Sequence, residues 1–336
     1  MGDMQIDVNH YKQLLKHYIT SQNEKALYSA EQLTKTFIQN SIFPEEIVNI
    51  HMQSIAELYP NMYQEMEHAM NFLLETMISY GLAFQENQAL REKQMEIDSE
   101  LSVAASMQQT LLATKIPKVS NLDIGVISVP AHQMNGDYYH FVTGKDDKIG
   151  IAIADVIGKG IPAALCMSMI KYAMDSFPEQ SMSPRQILQS LNRVVELNVD
   201  AGMFITMFYA QYNPNRSTFV YASAGHEPGF FYHAKTDTFT EITTKGLVLG
   251  VSPEVTYKEY EQVIEKGDMI VLLTDGVTEC RVGGEFIERE AILEVLKQNK
   301  HLAAQDLVMH VYKYFERLQN FQLRDDFTLI VLKKQV

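Results

Sequence analysis

The spacing of apolar residues changes once along the chain, near residue 117. Before that point, apolar residues recur every three or four positions, the spacing of one helix face, as in Leu14, Leu15, Tyr18 and Ile19. After it, short runs of β-branched and aromatic residues alternate with helical segments. Only two of the 17 glycines precede Gly125, and long glycine-free segments are typical of helices. The pattern predicts an α+β protein with an all-helical N-terminal part.

Residues 1–84 contain about four amphipathic segments, which indicates a small helical bundle. One of them is expected to begin near Pro44, because proline is tolerated in the first helical turn. The same helix is expected to end before Pro60, because a proline disfavours helix in the residue that precedes it. No catalytic motif is visible in this segment. We interpret residues 1–84 as a domain whose role is to bind a partner.

Residues 85–116 predict a linker helix, since neither glycine nor proline occurs between Gln85 and Leu112. A heptad seam with alternating steps of four and three residues runs through Leu90, Gln94, Ile97, Leu101, Ala104, Gln108 and Leu111. Two of these residues are glutamines, which weaken a coiled coil. Two interpretations remain open: a helix packed on its own domain, and the seam of a parallel homodimer.

Residues 117–336 read as a domain of mixed strands and helices. Strands are predicted at 122–129, 149–155, 204–212, 218–224, 268–275 and 326–332. Helices are predicted at 162–176, 184–198, 288–299 and 303–319. Helices that occur in pairs between groups of strands are typical of α+β layers and not of a simple βαβ repeat.

Composition narrows the classes of partner. The chain has 28 Lys and Arg against 42 Asp and Glu, a net charge of −14, which argues against nucleic acid and anionic membrane surfaces as partners. No apolar run approaches the roughly 18 residues of a membrane span, and no signal-peptide pattern is visible. Cys166 and Cys280 are isolated and lack metal-ligand spacing, so we expect inert core thiols. A cytoplasmic location is the expectation.

Candidate chemistry begins in residues 149–165, where a buried strand ends at Asp155 and a glycine turn leads into a helix with Pro162 in its first turn. One interpretation is a dinucleotide-binding turn around Gly158 and Gly160. That interpretation requires a third small residue in register and an acid about 20 residues later, at the end of a second strand. The chain does not show this pattern, which favours Asp155 as the functional group.

Four acids stand at the ends of runs of apolar or aromatic, β-forming residues: Asp137, Asp155, Asp275 and Asp325. A single acid at a strand end is commonplace and usually serves a turn or a helix cap. Four that converge would repel one another unless a cation lies between them. A site of oxygen ligands without Cys or His suits Mg²⁺ or Mn²⁺. Two such ions ~3.5–4 Å apart activate water for in-line attack on phosphorus, so the pattern favours a two-metal phosphohydrolase.

Five motifs occur in the order found in the SpoIIE class of bacterial type 2C, metal-dependent serine/threonine phosphatases, which residues 120–334 therefore resemble. They are Gly-Asp-Tyr-Tyr at 136–139, Ala-Asp-Val-Ile-Gly-Lys-Gly-Ile-Pro-Ala-Ala at 154–164, Ala-Gly-His at 224–226, Thr-Asp-Gly-Val-Thr-Glu at 274–279 and Asp-Asp-Phe-Thr-Leu at 325–329. The resemblance implies an α/β sandwich in which two central β-sheets are flanked by helices.

The resemblance also implies roles for individual residues. Asp155 would bridge two Mn²⁺ or Mg²⁺ ions, with the Val156 carbonyl on the first ion. Asp275 and Asp325 would hold the second ion, and Asp137 would bind through water. Asp326 is expected to support this set, and His226 to be structural. The chain departs from the family pattern at four positions, so the groups that grip the phosphate are not identified: His132, Asn135, His140 and Lys159.

With its helical N-terminal part and linker helix, the whole chain resembles the branch of this class that activates the sigma-B general stress response. The resemblance implies a phosphoserine on a small anti-anti-sigma protein as the substrate. It also implies a kinase-fold switch protein that docks on the N-terminal domain as the activator. The alternative is a pseudophosphatase that only binds the phosphoprotein. The presence of Asp155, Asp275 and Asp325 favours the enzyme.

Overall fold

The structure, a computed structural model, describes residues 8–22, 25, 28, 29, 32, 33, 36, 37, 42–61, 63–144, 147–158, 160–177, 182–199, 202–242, 244–282, 285–287, 289–321 and 323–335. The chain divides into two units, Met1–Ser99 and Glu100–Val336. None of the helices within the described ranges is both long and apolar enough to cross a membrane.

The N-terminal unit consists of helices in its described part. They are α1 (Val8–Ser21), α2 (Pro44–Leu58) and the first part of α3 (Gln64–Leu112). As predicted, α2 has Pro44 in its first turn and ends before Pro60. The Tyr11 hydroxyl of α1 is hydrogen-bonded to His51 Nδ1 of α2 at 2.9 Å. The helical spacing of Leu33 and Phe37 predicts one more helix, part of which lies outside the described residues.

Helix α3 is continuous across residue 85, where the sequence predicted a separate linker. The division into domains 1–84, 85–116 and 117–336 stays a prediction. Along the predicted seam, Leu90, Gln94 and Ile97 are exposed. The next three seam residues, Leu101, Ala104 and Gln108, are at least partly buried within the C-terminal unit. These three residues therefore pack on the C-terminal unit, whereas the last seam residue, Leu111, is exposed. A dimer seam stays a prediction.

The C-terminal unit contains two five-stranded sheets. The first has the strand order β1-β12-β9-β6-β7 and the second β2-β3-β4-β5-β8, with all neighbouring strands antiparallel. The strands are β1 (Leu122–Val129), β2 (Asp137–Thr143), β3 (Ile149–Val156), β4 (Ile205–Asn213), β5 (Thr218–Ala224), β6 (Gly229–His233), β7 (Thr238–Ile242), β8 (Tyr260–Val263), β9 (Met269–Leu273) and β12 (Phe327–Lys334). A separate hairpin pairs β10 (Arg281–Val282) with β11 (Glu285–Phe286).

Helices cover the outer faces of the two sheets. They are α4 (Ile161–Ser176), α5 (Pro184–Asn198), the short α6 (Asp275–Thr278), α7 (Arg289–Gln298) and α8 (Ala304–Leu318). Helices α4 and α5 share a core with the second sheet, and α7 and α8 share one with the first. A third core lies between the sheets. The predicted α/β sandwich of two central sheets flanked by helices is confirmed.

Strand β3 shows how the sequence specifies these layers. Its isoleucines, Ile149, Ile151 and Ile153, belong to the core between the sheets. The alternate residues Ala152 and Ala154 belong to the core shared with α4 and α5. Because side chains alternate between the two faces of a strand, large residues fill one interface and small ones let the helices approach the other. Asp155 follows directly, at the end of the strand.

Candidate active site

Asp137 and Asp155 lie side by side at one end of the second sheet. They are Cα partners in the antiparallel pairing of β2 with β3, and Asp155 is in turn paired with Thr206 of β4. Sequence reasoning expected these two acids to converge, and the register brings them to adjacent positions. Carboxylates on neighbouring strands repel each other unless a proton or a cation intervenes.

Asp137 is the more deeply buried of the two, with 3% of its surface exposed. Thr274, at the end of β9 in the other sheet, donates a hydrogen bond from Oγ1 to Asp137 Oδ2 at 2.7 Å. Burial raises the pKa of Asp137 well above its usual range; hydrogen bonds from Thr274 and Thr328 oppose this, and the charges of Asp155 and Asp326 add to it. Asp137 thus lies where carboxylates from both sheets meet.

Asp275 and Asp325 form a second pair at the ends of β9 and β12. Burial, together with a smaller contribution from the nearby charge of Asp325, raises the pKa of Asp275 to about 6. Gly276 permits this approach, because a Cβ at that position would lie 1.9 Å from the backbone oxygen of Asp326. Any larger residue would push the 325–326 segment away from Asp275.

Asp326 holds the loop that precedes β2. Its Oδ1 accepts a hydrogen bond from the Ala131 N–H at 2.7 Å, and its Oδ2 accepts one from the Gly136 N–H at 2.5 Å. A Cβ placed on Gly136 would lie 3.2 Å from Asp326 Oδ2 and 3.7 Å from Asp155 Oδ1. Asp326 is therefore beside the predicted metal ligands and also anchors the loop that leads to Asp137.

The threonines at the junction between the sheets were missed by sequence reasoning. Thr274 and Thr328 are fully buried, and the Thr328 N–H donates to Thr274 Oγ1 at 3.1 Å. Threonine is common in strands, so neither residue stood out. The only signal was that each lies close to a motif acid, Thr274 directly before Asp275 and Thr328 two residues after Asp326.

The residues at which the chain departs from the family pattern lie in different surroundings. His132 is exposed and lines a cavity of about 230 Å³ together with Asp325 and Asp326. His140 is buried, stacks on Tyr138 and is hydrogen-bonded through Nε2 to Asp175 Oδ1 at 3.1 Å. Of these two, His132 is the one placed to meet a substrate. Lys159 lies outside the described residues.

His226 is held in the interior. Its Nδ1 is hydrogen-bonded to Thr206 Oγ1 at 2.9 Å, and its backbone N–H donates to Ser223 Oγ at 3.2 Å. Burial lowers the pKa of His226 to about 4, so the ring is neutral at pH 7. A neutral, hydrogen-bonded ring agrees with the expected structural role and not with that of a general acid.

The carboxylates fit a divalent cation by chemistry. They are oxygen donors and they come from both sheets. Burial and, to a lesser extent, their mutual repulsion raise the pKa values of Asp137 and Asp275. Within the described ranges, however, no three His, Cys, Asp or Glu side chains form a ready-made metal cage. The two pairs, Asp137 with Asp155 and Asp275 with Asp325, are what the fold itself brings together, and the full ligand set stays a prediction.

Comparison with known families identifies both parts of the chain. The family model for stage II sporulation protein E (SpoIIE) matches residues 145–335. The model for the N-terminal domain of the phosphoserine phosphatase RsbU matches residues 9–83. The chain is 56% identical to phosphoserine phosphatase RsbU of Bacillus subtilis (strain 168) over 326 residues, which is 97% of each chain.

Solved structures share the fold of the C-terminal unit. The SiaA-PP2C domain of Pseudomonas aeruginosa has a TM-score of 0.60 at 17% identity, and the match covers 72% of this chain and 98% of that one. A crystal structure of RsbX in complex with magnesium has a TM-score of 0.51 at 18% identity, covering 66% of this chain and 99% of that one. Both likenesses establish the PP2C fold of the sandwich.

Proposed function

The chain belongs to the family of the phosphoserine phosphatase RsbU and stage II sporulation protein E, and on that premise we propose that it is a metal-dependent protein serine phosphatase acting on a phosphorylated anti-anti-sigma protein. Dephosphorylation of that substrate would activate the sigma-B general stress response. The observation that supports this function most directly is the meeting of two carboxylate pairs from two different sheets, beside a cavity open to a substrate.

We assign the metal ligands as the sequence motifs imply. Asp155 and the Val156 carbonyl would hold a first Mn²⁺ or Mg²⁺, Asp155, Asp275 and Asp325 a second, and Asp137 would bind through water. When bound, the ions supply an activated water and neutralise charge on the phosphoryl oxygens. RsbX, which shares the fold, has been crystallised with magnesium.

The protein's own residues then have separable roles. Thr274 holds one oxygen of Asp137, so that the other oxygen keeps a fixed direction. Asp326 holds the loop that contains Asn135 and Gly136. His132 lines the cavity next to Asp325, where it is placed to contact the phosphoserine or the peptide around it.

We assign regulation to the N-terminal domain. Its match to the RsbU N-terminal family model supports a docking site for a kinase-fold switch protein, and the net charge of −14 argues against nucleic acid or an anionic membrane as the partner. A homodimer would form through the exposed part of α3. A cytoplasmic location accords with this set of partners.

Hydrolysis of a chromogenic phosphate ester, and of a phosphoserine anti-anti-sigma protein, tests the function. We expect turnover that requires Mn²⁺ or Mg²⁺ and stops in EDTA. Turnover of both substrates at saturating EDTA would contradict the metal mechanism. Tight binding of the phosphoprotein without turnover at any metal concentration would favour the pseudophosphatase.

A further inference from the structure

Gln108, near the C-terminal end of α3, is bonded at both ends of its side-chain amide to one residue of the loop before β2. Its Nε2 donates to the Asn135 carbonyl at 2.7 Å, and its Oε1 accepts from the Asn135 N–H at 3.0 Å. Only 4% of Gln108 is exposed. An amide side chain carries a donor and an acceptor together, so it can satisfy both backbone groups of one residue. The position of Asn135 is thereby tied to α3.

Asn135 in turn holds the predicted metal-binding strand. Its Oδ1 accepts a hydrogen bond from the Asp137 N–H at 2.9 Å, and its Nδ2 donates to Ser128 Oγ at 3.0 Å. Ser128 Oγ is hydrogen-bonded to Thr328 Oγ1 at 2.9 Å. The backbone of Asn135 is thus fixed by Gln108, and its side chain fixes the start of β2, where Asp137 stands.

Apolar packing holds Gln108 in place. Ala105 forms a small buried cluster with Met134 and Ala164, and Leu101 and Ala104 pack against it. Met134 belongs to the loop before Asp137, whereas Ala164 belongs to α4, which follows Asp155. The last turns of α3 therefore contact both segments that flank the paired acids. A hydrogen bond made from such a rigid support restricts its acceptor more than one made from an exposed helix.

We propose that Gln108 is a positioning residue for the metal site, which acts through Asn135 to hold Asp137 in the orientation that binds the metal ion. The inference rests on the proposed metal-dependent function. Residues that orient metal ligands from outside the site commonly change metal affinity or activity by about 10- to 100-fold when they are removed. Loss of the Gln108 side-chain amide is accordingly expected to weaken metal binding more than it lowers kcat at saturating metal.

The test compares Gln108→Met with Gln109→Met in the full-length protein. Methionine is uncharged, like glutamine, and has a similar length and volume. It cannot form the two hydrogen bonds of the amide group. Gln109 is its exposed neighbour on the same helix and serves as the matched control. Calorimetric titration with Mn²⁺ should show about tenfold weaker binding for Gln108→Met and unchanged binding for Gln109→Met. The Mn²⁺ concentration for half-maximal ester hydrolysis should rise by the same factor, with kcat at saturating Mn²⁺ largely restored.

A second variant keeps the proposal testable if Gln108→Met fails to fold. Asn135→Ala removes the bonds to Asp137 and Ser128 but leaves the backbone groups that Gln108 binds. It should weaken Mn²⁺ binding by a similar factor, and adding Gln108→Met to it should cause little further loss, because both changes break one chain of contacts. Independent, multiplying effects would contradict the proposal.

Other outcomes are equally decisive. If Gln108→Met lowers the melting temperature in EDTA but binds Mn²⁺ as tightly as wild type, the contact is structural and the proposal is overturned. Wild-type Mn²⁺ affinity in Asn135→Ala overturns it as well. Absence of metal-dependent turnover in the wild-type protein would instead contradict the proposed function, which separates the two failures.

Discussion

The charge of Asp155 has two opposite effects on stability. It repels the carboxylate of Asp137 when no cation is bound, and it attracts the cation when one is bound. We predict that Asp155→Asn lowers phosphatase activity by more than about a hundredfold. In EDTA its melting temperature should equal or exceed that of wild type, since the repulsion is relieved. Added Mn²⁺ should raise the melting temperature of wild type only. Substantial activity of the variant at saturating Mn²⁺ would show that Asp155 is not a bridging ligand.

His226 predicts a dependence of stability on pH. Its pKa is about 4 in the folded protein, below the 6.5 of an ordinary histidine, so the unfolded chain binds the proton more readily. The stability that the neutral ring contributes is present above pH 6.5 and is lost as the pH falls towards 4. The slope for one proton is about 1.4 kcal/mol per pH unit.

The variant His226→Asn isolates this effect, because asparagine can keep a hydrogen bond to Thr206 but does not titrate. Urea unfolding in EDTA between pH 7 and pH 4.5 should show a shallower fall in the free energy of unfolding for the variant than for wild type. Parallel curves for the two proteins would mean that His226 does not titrate in this range.

At the scale of single residues, the candidate metal-ligating acids could be predicted from the sequence, whereas the residues that hold them in place could not. A strand that ends in a carboxylate is visible in the sequence, and the register of β2 with β3 placed Asp137 beside Asp155 as expected. Thr274 looks like any β-forming residue until β9 is known to meet the end of β2. Gln108 looked like a weak seam residue, because an amide in a helix carries no sign of what it will bind.

Among the elements, α3 combines two environments in one helix. The seam residues Gln94 and Ile97 are exposed, and Gln94 Nε2 donates to Asp98 Oδ1 at 3.0 Å on the helix surface. Gln108 is already engaged with Asn135. Any change meant to strengthen a dimer seam should therefore be made at Gln94 and not at Gln108.

We predict that Gln94→Leu shifts the protein towards a dimer and raises activity in the absence of the activator, because an apolar residue replaces a polar one in the seam. Ile97→Asp should leave basal turnover unchanged and remove stimulation by the activator. Sedimentation velocity and Mn²⁺-dependent turnover of both variants are the measurements. A tighter dimer with unchanged basal activity would show that dimerisation does not control the catalytic domain.

The helices and strands that could be predicted from the sequence are those with long patterns of apolar and polar residues. Helices α4 and α5 begin and end within a residue of their predicted bounds, because proline marks the first turn of each. Strands β6, β7 and β8 were not predicted. Each has only four or five residues, which is too short for alternation to distinguish a strand from a loop, and they are held by neighbouring strands.

At the scale of the whole molecule, the boundary between the two units lies within α3, between Ser99 and Glu100. This boundary predicts how fragments of the chain behave. A fragment of residues 100–336 keeps Leu101, Ala105 and Gln108, whereas a fragment of residues 121–336 lacks them. Both should hydrolyse small esters without responding to the activator. The shorter fragment should need about tenfold more Mn²⁺ and should melt at a lower temperature. Stimulation of either fragment by the activator would place its docking site outside residues 1–99.

The order of the first sheet also has a consequence for biosynthesis. Strand β12 lies between β1 and β9, so that Ser128 is hydrogen-bonded to a residue 200 positions later. While the ribosome is still making β12, β1 and β9 have been translated without the strand that separates them, and their edges are open to wrong pairing. The helical unit can fold during translation, but the sandwich cannot close until residue 334 has emerged. We therefore expect a nascent chain that still lacks β12 to have no phosphatase activity.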